Sequence, residues 1–594
     1  MLPPSPTVHR ALDLMKGGRF DQAEQILRRH LQKEPRDSTG LHILAATLLS
    51  KGQHSQAAFF AKQANQLFPH DFAILSVLGT ALCVSGEEEL AVKAYQEATS
   101  LAPDKPTLWS GLGTSLMAAN RLDEAVPAFE KCVAIDATEY SGAMNLAVCH
   151  TRLGDAISSL KVLTEALKHH SKNEGLLLHA AAMSNYADFL SPDQVRASHE
   201  SLARAIEAKV KNVRMMAARP LAGRPLRVGL LSGDFYNHSC SFFLEALLRH
   251  FATSEARSDS HVELLCYSAT HKTDEVTQRL RAFGRPWRDV LSLSDAACAD
   301  AIRSDRIDVL VDCGGYTHDT RVQVLAHRAA PVQMTYLGYP NTTALRECDY
   351  RIVDAITDPP ENAHHCTERL LRLDPHFLCY TPLRDDRVAP INPVPPCERT
   401  GRVTFASFNA LMKIVDGTIA SWARVLLAVP NSRLLLKSKH TGARTRIGDA
   451  FAARGVDPSR VEMLLPLDST ADHMALYNDV DIALDPFPYN GTTTTYESLV
   501  MGVPIVALAG DRHASRVSMS ILHAVGVPEL VAPSVDEYVA LATSLAVGPG
   551  RLRHWRATLR DQLVRSPACD QAAFAAGFAA ALHKAWEERV SASQ

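Results

Sequence analysis

Long apolar runs are missing from this chain. No stretch approaches the roughly 18 consecutive apolar residues that suggest a membrane span, so a membrane-embedded protein is not expected. An excess of one charge is missing too. The 62 Lys and Arg nearly balance the 65 Asp and Glu, for a net charge of −3. That balance gives no electrostatic case for nucleic acid or an anionic membrane as partner. The 12 cysteines never form a CxxC pair, so neither a zinc site nor a disulfide framework is expected, only reduced, buried thiols. The opening Met-Leu-Pro-Pro-Ser-Pro lacks a basic region followed by an apolar core, so no secretory leader and a cytoplasmic location are expected. What is present is the composition of a globular protein, 46% hydrophobic and 21% charged in 594 residues, enough for about three or four domains.

A fixed period fills the first quarter. Pro35, Pro69 and Pro103 are spaced by 34, as are the small residues Ala11, Ala45, Gly79, Gly113 and Ala147. Ala23, Ala57, Ala91 and Ala125 form a third column, and Gly18, Gly52, Gly86, Asn120 and Gly154 a fourth. Small residues let two helices approach closely. The Gly/Asn column supplies a left-handed turn between them, and proline ends the second helix. This is the tetratricopeptide pattern. About five repeats over residues 7–171 predict an α-solenoid whose concave face holds protein partners. Residues 172–224 look helical but lose the phase, and read as a cap and linker.

From residue 225 the texture changes to short apolar runs such as LRVGLLSGDF, IDVLVDCGGY and PVQMTYLGYP, separated by helical stretches. Alternating strands and helices predict a parallel sheet covered on both faces. A Pro-rich stretch, 387–401, precedes a second series that includes RVTFASFN, SRLLLKS, VDIALD and PIVALAG. The expected fold class is therefore α plus α/β: a repeat solenoid, then two Rossmann-like lobes over 225–386 and 402–590. Ligands are expected at the carboxyl ends of the strands.

The most informative stretch is DIALDPFPYNGTTTTYESLVMGVPIVALAG. A strand ends near Asp485, and threonines 492–495 open a helix. Their hydroxyls and the unpaired N–H groups make a ready diphosphate site. Glu497 is placed to accept bonds from ribose hydroxyls, or merely to complete a capping box. Lys413, after a strand and a short loop, is either a counter-charge for a leaving diphosphate or an ordinary surface lysine. His238, at a loop–helix junction, is either an acceptor-positioning or catalytic group or a helix cap.

Together the segments SGDFYNHS, APVQMTYLGYPNTT, CDYRIVDAITDPP, FLCYTP, SFNALMKI, AVPNSRLLLKS and FPYNGTTTTYESLVMGVPIVALAG resemble the O-GlcNAc transferase family, in its SPINDLY-like branch. The resemblance implies a GT-B transferase that is inverting and needs neither metal nor prosthetic group. It moves one sugar from a nucleotide sugar, UDP-GlcNAc or GDP-fucose, to Ser or Thr of protein substrates. By position, Lys413 matches the lysine on the donor phosphate, and Thr493 and Thr494 the diphosphate threonines. Glu497 matches the ribose acid, His473 a histidine near the nucleotide, and His238 one near sugar and acceptor. Asn409 and Thr492 join them as donor-site candidates, and the base is left between His238 and Asp305. Thr492 replaces the histidine of animal enzymes, which use UDP-GlcNAc. The threonine run is that of the SPINDLY branch, whose plant members use GDP-fucose. Ala410 and Thr470 also depart from the pattern, and the donor stays open between the two. N-glycosylation of the adhesin-modifying type and a repeat scaffold with a non-catalytic nucleotide-sugar domain are the alternatives; a homodimer is left open.

Overall fold

The structure, a computed structural model, describes residues 5–211, 213, 216–252, 260–317, 321–382 and 388–592. The first four residues of the expected leader-free N-terminus lie outside the described residues. So do residues 383–387, where the expected first lobe ends and the linker starts. The chain divides into two compact units, one carrying the repeats through Ser171 and the other beginning at Lys172.

Five antiparallel helix pairs build the first unit: Pro6–Lys16 with Phe20–Lys33, Ser38–Ser50 with His54–Leu67, Phe72–Val84 with Glu88–Leu101, Pro106–Ala118 with Leu122–Ile135, and Tyr140–Arg152 with Ala156–His169. The turn column is left-handed at Gly18, Gly52, Gly86, Asn120 and Gly154, with φ between 58° and 80°. The alanine column, Ala23, Ala57, Ala91 and Ala125, is fully buried. The small column shows why bulk is excluded. A Cβ on Gly79 would lie 2.6 Å from the Tyr95 ring, and one on Gly113 would lie 2.7 Å from Phe129.

In the second unit, seven parallel strands form the first lobe's sheet: β1 Leu226–Ser232, β2 Val262–Ser268, β3 Trp287–Asp289, β4 Val309–Asp312, β5 Val332–Thr335, β6 Tyr350–Asp354 and β7 Arg369–Leu373. Their order is β3-β2-β1-β4-β5-β6-β7. The second lobe holds β8 Val403–Ala406, β9 Ser432–Lys437, β10 Val461–Leu464, β11 Ile482–Leu484, β12 Ile505–Leu508 and β13 Val531–Ala532. They are ordered β10-β9-β8-β11-β12-β13 and are parallel throughout. Burial on both faces explains the near-continuous apolar strands, as in β1 and β12. Each sheet reverses its winding once, between β1 and β4 and between β8 and β11, and such switch points open a crevice at the strand ends.

Two segments differ from their expected roles. The helices Glu174–Ser184 and Pro192–Glu207 belong with the second unit. The second starts at the expected Ser-Pro, through a capping box between Ser191 and Gln194. Asn185 Nδ2 donates to Tyr339 Oη at 2.8 Å, and His199 Nε2 meets the same oxygen at 2.8 Å, which ties both helices to the loop after β5. The last helix, Gln571–Ser591, read as part of the second lobe, packs on the first. Phe578 lies 5.6 Å from Tyr336, and Tyr350 Oη donates to Glu588 at 2.7 Å.

Candidate active site

The loops that follow β1, β4, β5, β7, β8, β11 and β12 converge on a cavity of about 360 Å³ between the lobes. Its walls include His238 and Thr317 from the first lobe, and Asn409, Lys413, Thr492, Thr493, Thr494 and His513 from the second. Six of the nine expected site residues thus share one cavity, and both switch points contribute to it.

Lys413 ends a one-turn helix, Leu411–Lys413, after β8. Its Nζ donates to the Asn490 carbonyl at 2.7 Å and lies 4.3 Å from the Tyr489 ring centroid. It is not a solvated surface charge. Burial pulls its ammonium below the usual lysine range, and the Asp485 carboxylate works against that. Asp485, at the end of β11, is pushed up by burial, while the Gly491 N–H, Ser518 and Lys413 hold it down. The Gly491 N–H donates to Asp485 at 2.7 Å, and a Cβ there would strike the Thr494 hydroxyl at 2.4 Å. The loop can therefore close this tightly only with glycine.

The helix Thr493–Val500 points its N-terminus at the same cavity. Thr494 donates its hydroxyl to Asn409 Oδ1 at 3.0 Å. The Thr493 hydroxyl is buried with no protein partner. A buried polar atom left unpaired is costly, so this hydroxyl and the free N–H groups fit an anionic ligand. The capping-box reading of Glu497 fails. The helix has no side-chain cap, and Glu497 Oε2 instead meets His473 Nε2 at 3.1 Å. His473 and Glu497 lie outside the cavity walls, in an adjoining cluster with Tyr477, whose hydroxyl donates to Glu497 at 3.4 Å.

Lys437, which the sequence reading passed over, completes that cluster. Its Nζ bonds His473 Nδ1 and lies 4.9 Å from the Phe408 ring. Burial holds its ammonium down to about 8, with Glu497 opposing the shift. The available signal was its place at the end of SRLLLKS, the carboxyl end of a strand. Tyr186 was missed as well: it stacks at 4.9 Å on Tyr489, so the segment read as linker backs the site.

His238 follows β1. Its Nδ1 accepts the Cys240 N–H at 3.3 Å and lies 3.5 Å from Asp234. Asp305 does not reach the cavity, a correction to its place beside His238. It caps the helix Asp295–Ser304 at the amino end of β4, whereas the cavity gathers residues beyond carboxyl ends. Its carboxylate accepts from Tyr267 Oη at 2.8 Å and pairs with Arg288 at 3.1 Å.

The profile of glycosyl transferase family 41 matches residues 196–380 and 399–578. The chain belongs to glycosyl transferase family 41. A tetratricopeptide-repeat profile also matches residues 106–139 of this family-41 chain. It is 41% identical over 372 residues to the probable UDP-N-acetylglucosamine–peptide N-acetylglucosaminyltransferase SPINDLY of Arabidopsis thaliana, covering 61% of this chain and 40% of the relative. It is 40% identical over 373 residues to the SPINDLY protein of Oryza sativa subsp. japonica, covering 62% and 39%. The family-41 chain thus spans about two fifths of the length of these curated relatives. A mutant of the Thermobaculum terrenum O-GlcNAc transferase aligns over 94% of this chain and 98% of its own, with TM-score 0.67 and 29% identity. The architecture of helical repeats followed by two Rossmann-like lobes is shared with that structure. All twelve cysteines are free, and no described helix is long and apolar enough to cross a membrane.

Proposed function

We propose that this family-41 chain transfers a single sugar from a nucleoside-diphosphate sugar to Ser or Thr hydroxyls of protein substrates. One observation carries the reading: Lys413 and the N-terminus of the helix Thr493–Val500, arriving from the two strands of one switch point, face the same cavity. The acceptor oxygen attacks the anomeric carbon in line, and the bond to the diphosphate breaks. The negative charge that develops on the diphosphate meets the Lys413 ammonium, the Thr493 hydroxyl and the helix N-terminus, groups already in place before reaction. His473, Glu497 and Lys437 form the nucleoside end of the site, with Glu497 as acceptor for ribose hydroxyls. The repeats hold the protein substrate on their concave face.

UDP-GlcNAc is the first donor reading, because it is the donor named for the relatives. GDP-fucose is the second. It is favoured by Thr492, Ala410 and Thr470, where the chain leaves the animal pattern, and by identity that is higher to the SPINDLY proteins than to the Caenorhabditis elegans transferase, at 26%. A thermal-shift and turnover panel with both donors tests the reading. A ligand at 100 times its dissociation constant stabilises the native state by about 2.7 kcal/mol. Stabilisation by neither nucleotide diphosphate, with no turnover of either donor, rejects it.

A further inference from the structure

Two imidazoles line the cavity, and their hydrogen bonds give them opposite tautomers. His238 accepts the Cys240 backbone N–H at Nδ1, so its neutral ring carries the proton on Nε2 and can only donate from there. His513 is arranged the other way round. It opens a one-turn helix, His513–Ser515, after β12. Its Nδ1 lies 2.5 Å from Asp358 Oδ2, a carboxylate of the first lobe beyond β6. A carboxylate accepts, so Nδ1 holds the proton and Nε2 is left with its lone pair. Among the described residues the His513 ring makes no other hydrogen bond; its backbone carbonyl accepts from the Arg516 N–H. The Phe377 ring, 5.2 Å away and edge-on, fixes the plane of the imidazole, and Arg351 lies 3.5 Å from Asp358 on its far side.

A second buried Asp–His pair joins the lobes and shows what a purely structural one looks like. His376 is 1% exposed at its side chain. Its Nδ1 meets Ser520 at 2.8 Å and Asp354 at 3.2 Å, and its Nε2 meets Tyr496 Oη at 3.0 Å. Both ring nitrogens of His376 are spent inside the protein, and it lies off the cavity. His513 is 7% exposed at its side chain, yet its ring keeps one nitrogen uncommitted and forms part of the cavity wall.

We propose that His513, oriented by Asp358, takes the acceptor hydroxyl's proton during transfer, with His238 serving as a donor to the sugar or the diphosphate. The proposal rests on the transferase reading above. In the step, the acceptor oxygen bonds the anomeric carbon, the bond from that carbon to the diphosphate breaks with its electron pair going to the diphosphate, and the acceptor proton passes to His513 Nε2. The Asp358 carboxylate steadies the imidazolium that results. The charged groups around the ring are Asp358, Arg351 and Asp354 from the first lobe, Arg512 on its own turn, and Lys413 and His238 across the cavity. Burial lowers the His513 pKa, Arg351 adds to that, and Asp358 and Asp354 oppose it. The ring is therefore neutral and able to accept a proton at neutral pH.

The test measures three variants, His513→Gln, Asp358→Asn and His376→Gln, for Tm, for nucleotide binding, and for transfer of labelled sugar from UDP-GlcNAc and GDP-fucose to a Ser/Thr peptide pool across pH. His513→Gln is expected to lower kcat by about 100-fold or more, with nucleotide affinity within about threefold of wild type. Wild type should lose rate as pH falls through the His513 pKa, and His513→Gln should lack that acidic limb. Asp358→Asn, which keeps the shape but not the tautomer, should lower kcat in the same direction. His376→Gln should lower Tm and keep the acidic limb. His513→Gln with near wild-type kcat, or with the acidic limb intact, overturns the assignment alone. Wild type that binds nucleotide yet transfers neither sugar overturns the transferase reading and this assignment with it.

Discussion

The repeat unit and the two-lobed unit bury their side chains by different rules. In the repeats each helix packs on its neighbours in the chain, so Gly79 meets Tyr95 and Gly113 meets Phe129 at the same offset. In the lobes the decisive contacts join residues far apart in the chain, such as Lys413 with Asn490 and Asp358 with His513. The first kind repeats and is apolar. The second occurs once and is polar. Substitutions in the first unit should therefore cost stability and spare chemistry, and substitutions in the second should do the reverse.

The largest expected effect is at Lys413. Lys413→Ala should lower kcat by about 10²- to 10³-fold, the usual loss when one preorganised charge-stabilising donor is removed. Removing a buried ammonium should leave Tm close to wild type, which a melt alongside labelled-donor kinetics will check. A Tm collapse would mean that the lysine is structural and would blur the contrast. Next comes Thr493→Ala, which removes a buried, unpaired hydroxyl at the cavity wall. It should weaken nucleotide-diphosphate binding by about 1.5 kcal/mol, the lower range for a hydrogen bond to a charged group, as read by titration calorimetry. In the repeats, Gly113→Val drives a side chain into Phe129 and should cost about 1–3 kcal/mol in denaturant melts of the repeat transition, with nucleotide affinity unchanged.

How much of this could be read beforehand follows from the same contrast. The four repeat columns and the alternating strands and helices were legible because burial there is periodic. Lys413, Thr493 and Thr494 could be marked as candidates because each sits in a distinctive run in the connection that follows a strand's carboxyl end. Asp305 was misplaced because, one strand earlier in the pattern, it sits at an amino end, where Tyr267 and Arg288 take its carboxylate. His513 and Asp358 gave no local signal. They are 155 residues apart, and each alone reads as an ordinary polar loop residue. The segment near Tyr186 lost the repeat phase and so looked like a spacer, though its ring backs Tyr489.

The smallest predicted effect is in pH dependence. Lys437, held down to about 8 by burial, loses its charge as pH rises through that value, and Lys413 moves in the same direction. Nucleotide affinity should fall over pH 7–9, by about a few-fold, and Lys437→Met should flatten part of that fall. The sign for stability is opposite. A lysine whose folded pKa is lowered binds fewer protons folded than unfolded, so its burial cost is present below about 8 and is relieved as pH rises toward the unfolded value. Weaker binding accompanied by a falling Tm would contradict this assignment.

The most direct measurement compares wild type and Lys413→Ala by mass spectrometry, after incubation with a Ser/Thr peptide pool and either UDP-GlcNAc or GDP-fucose. Wild type should add one hexosamine or one deoxyhexose mass to Ser or Thr with one of the donors, and Lys413→Ala should add almost none. Sugar on asparagine, no sugar from either donor, or equal transfer by the two proteins would contradict the account.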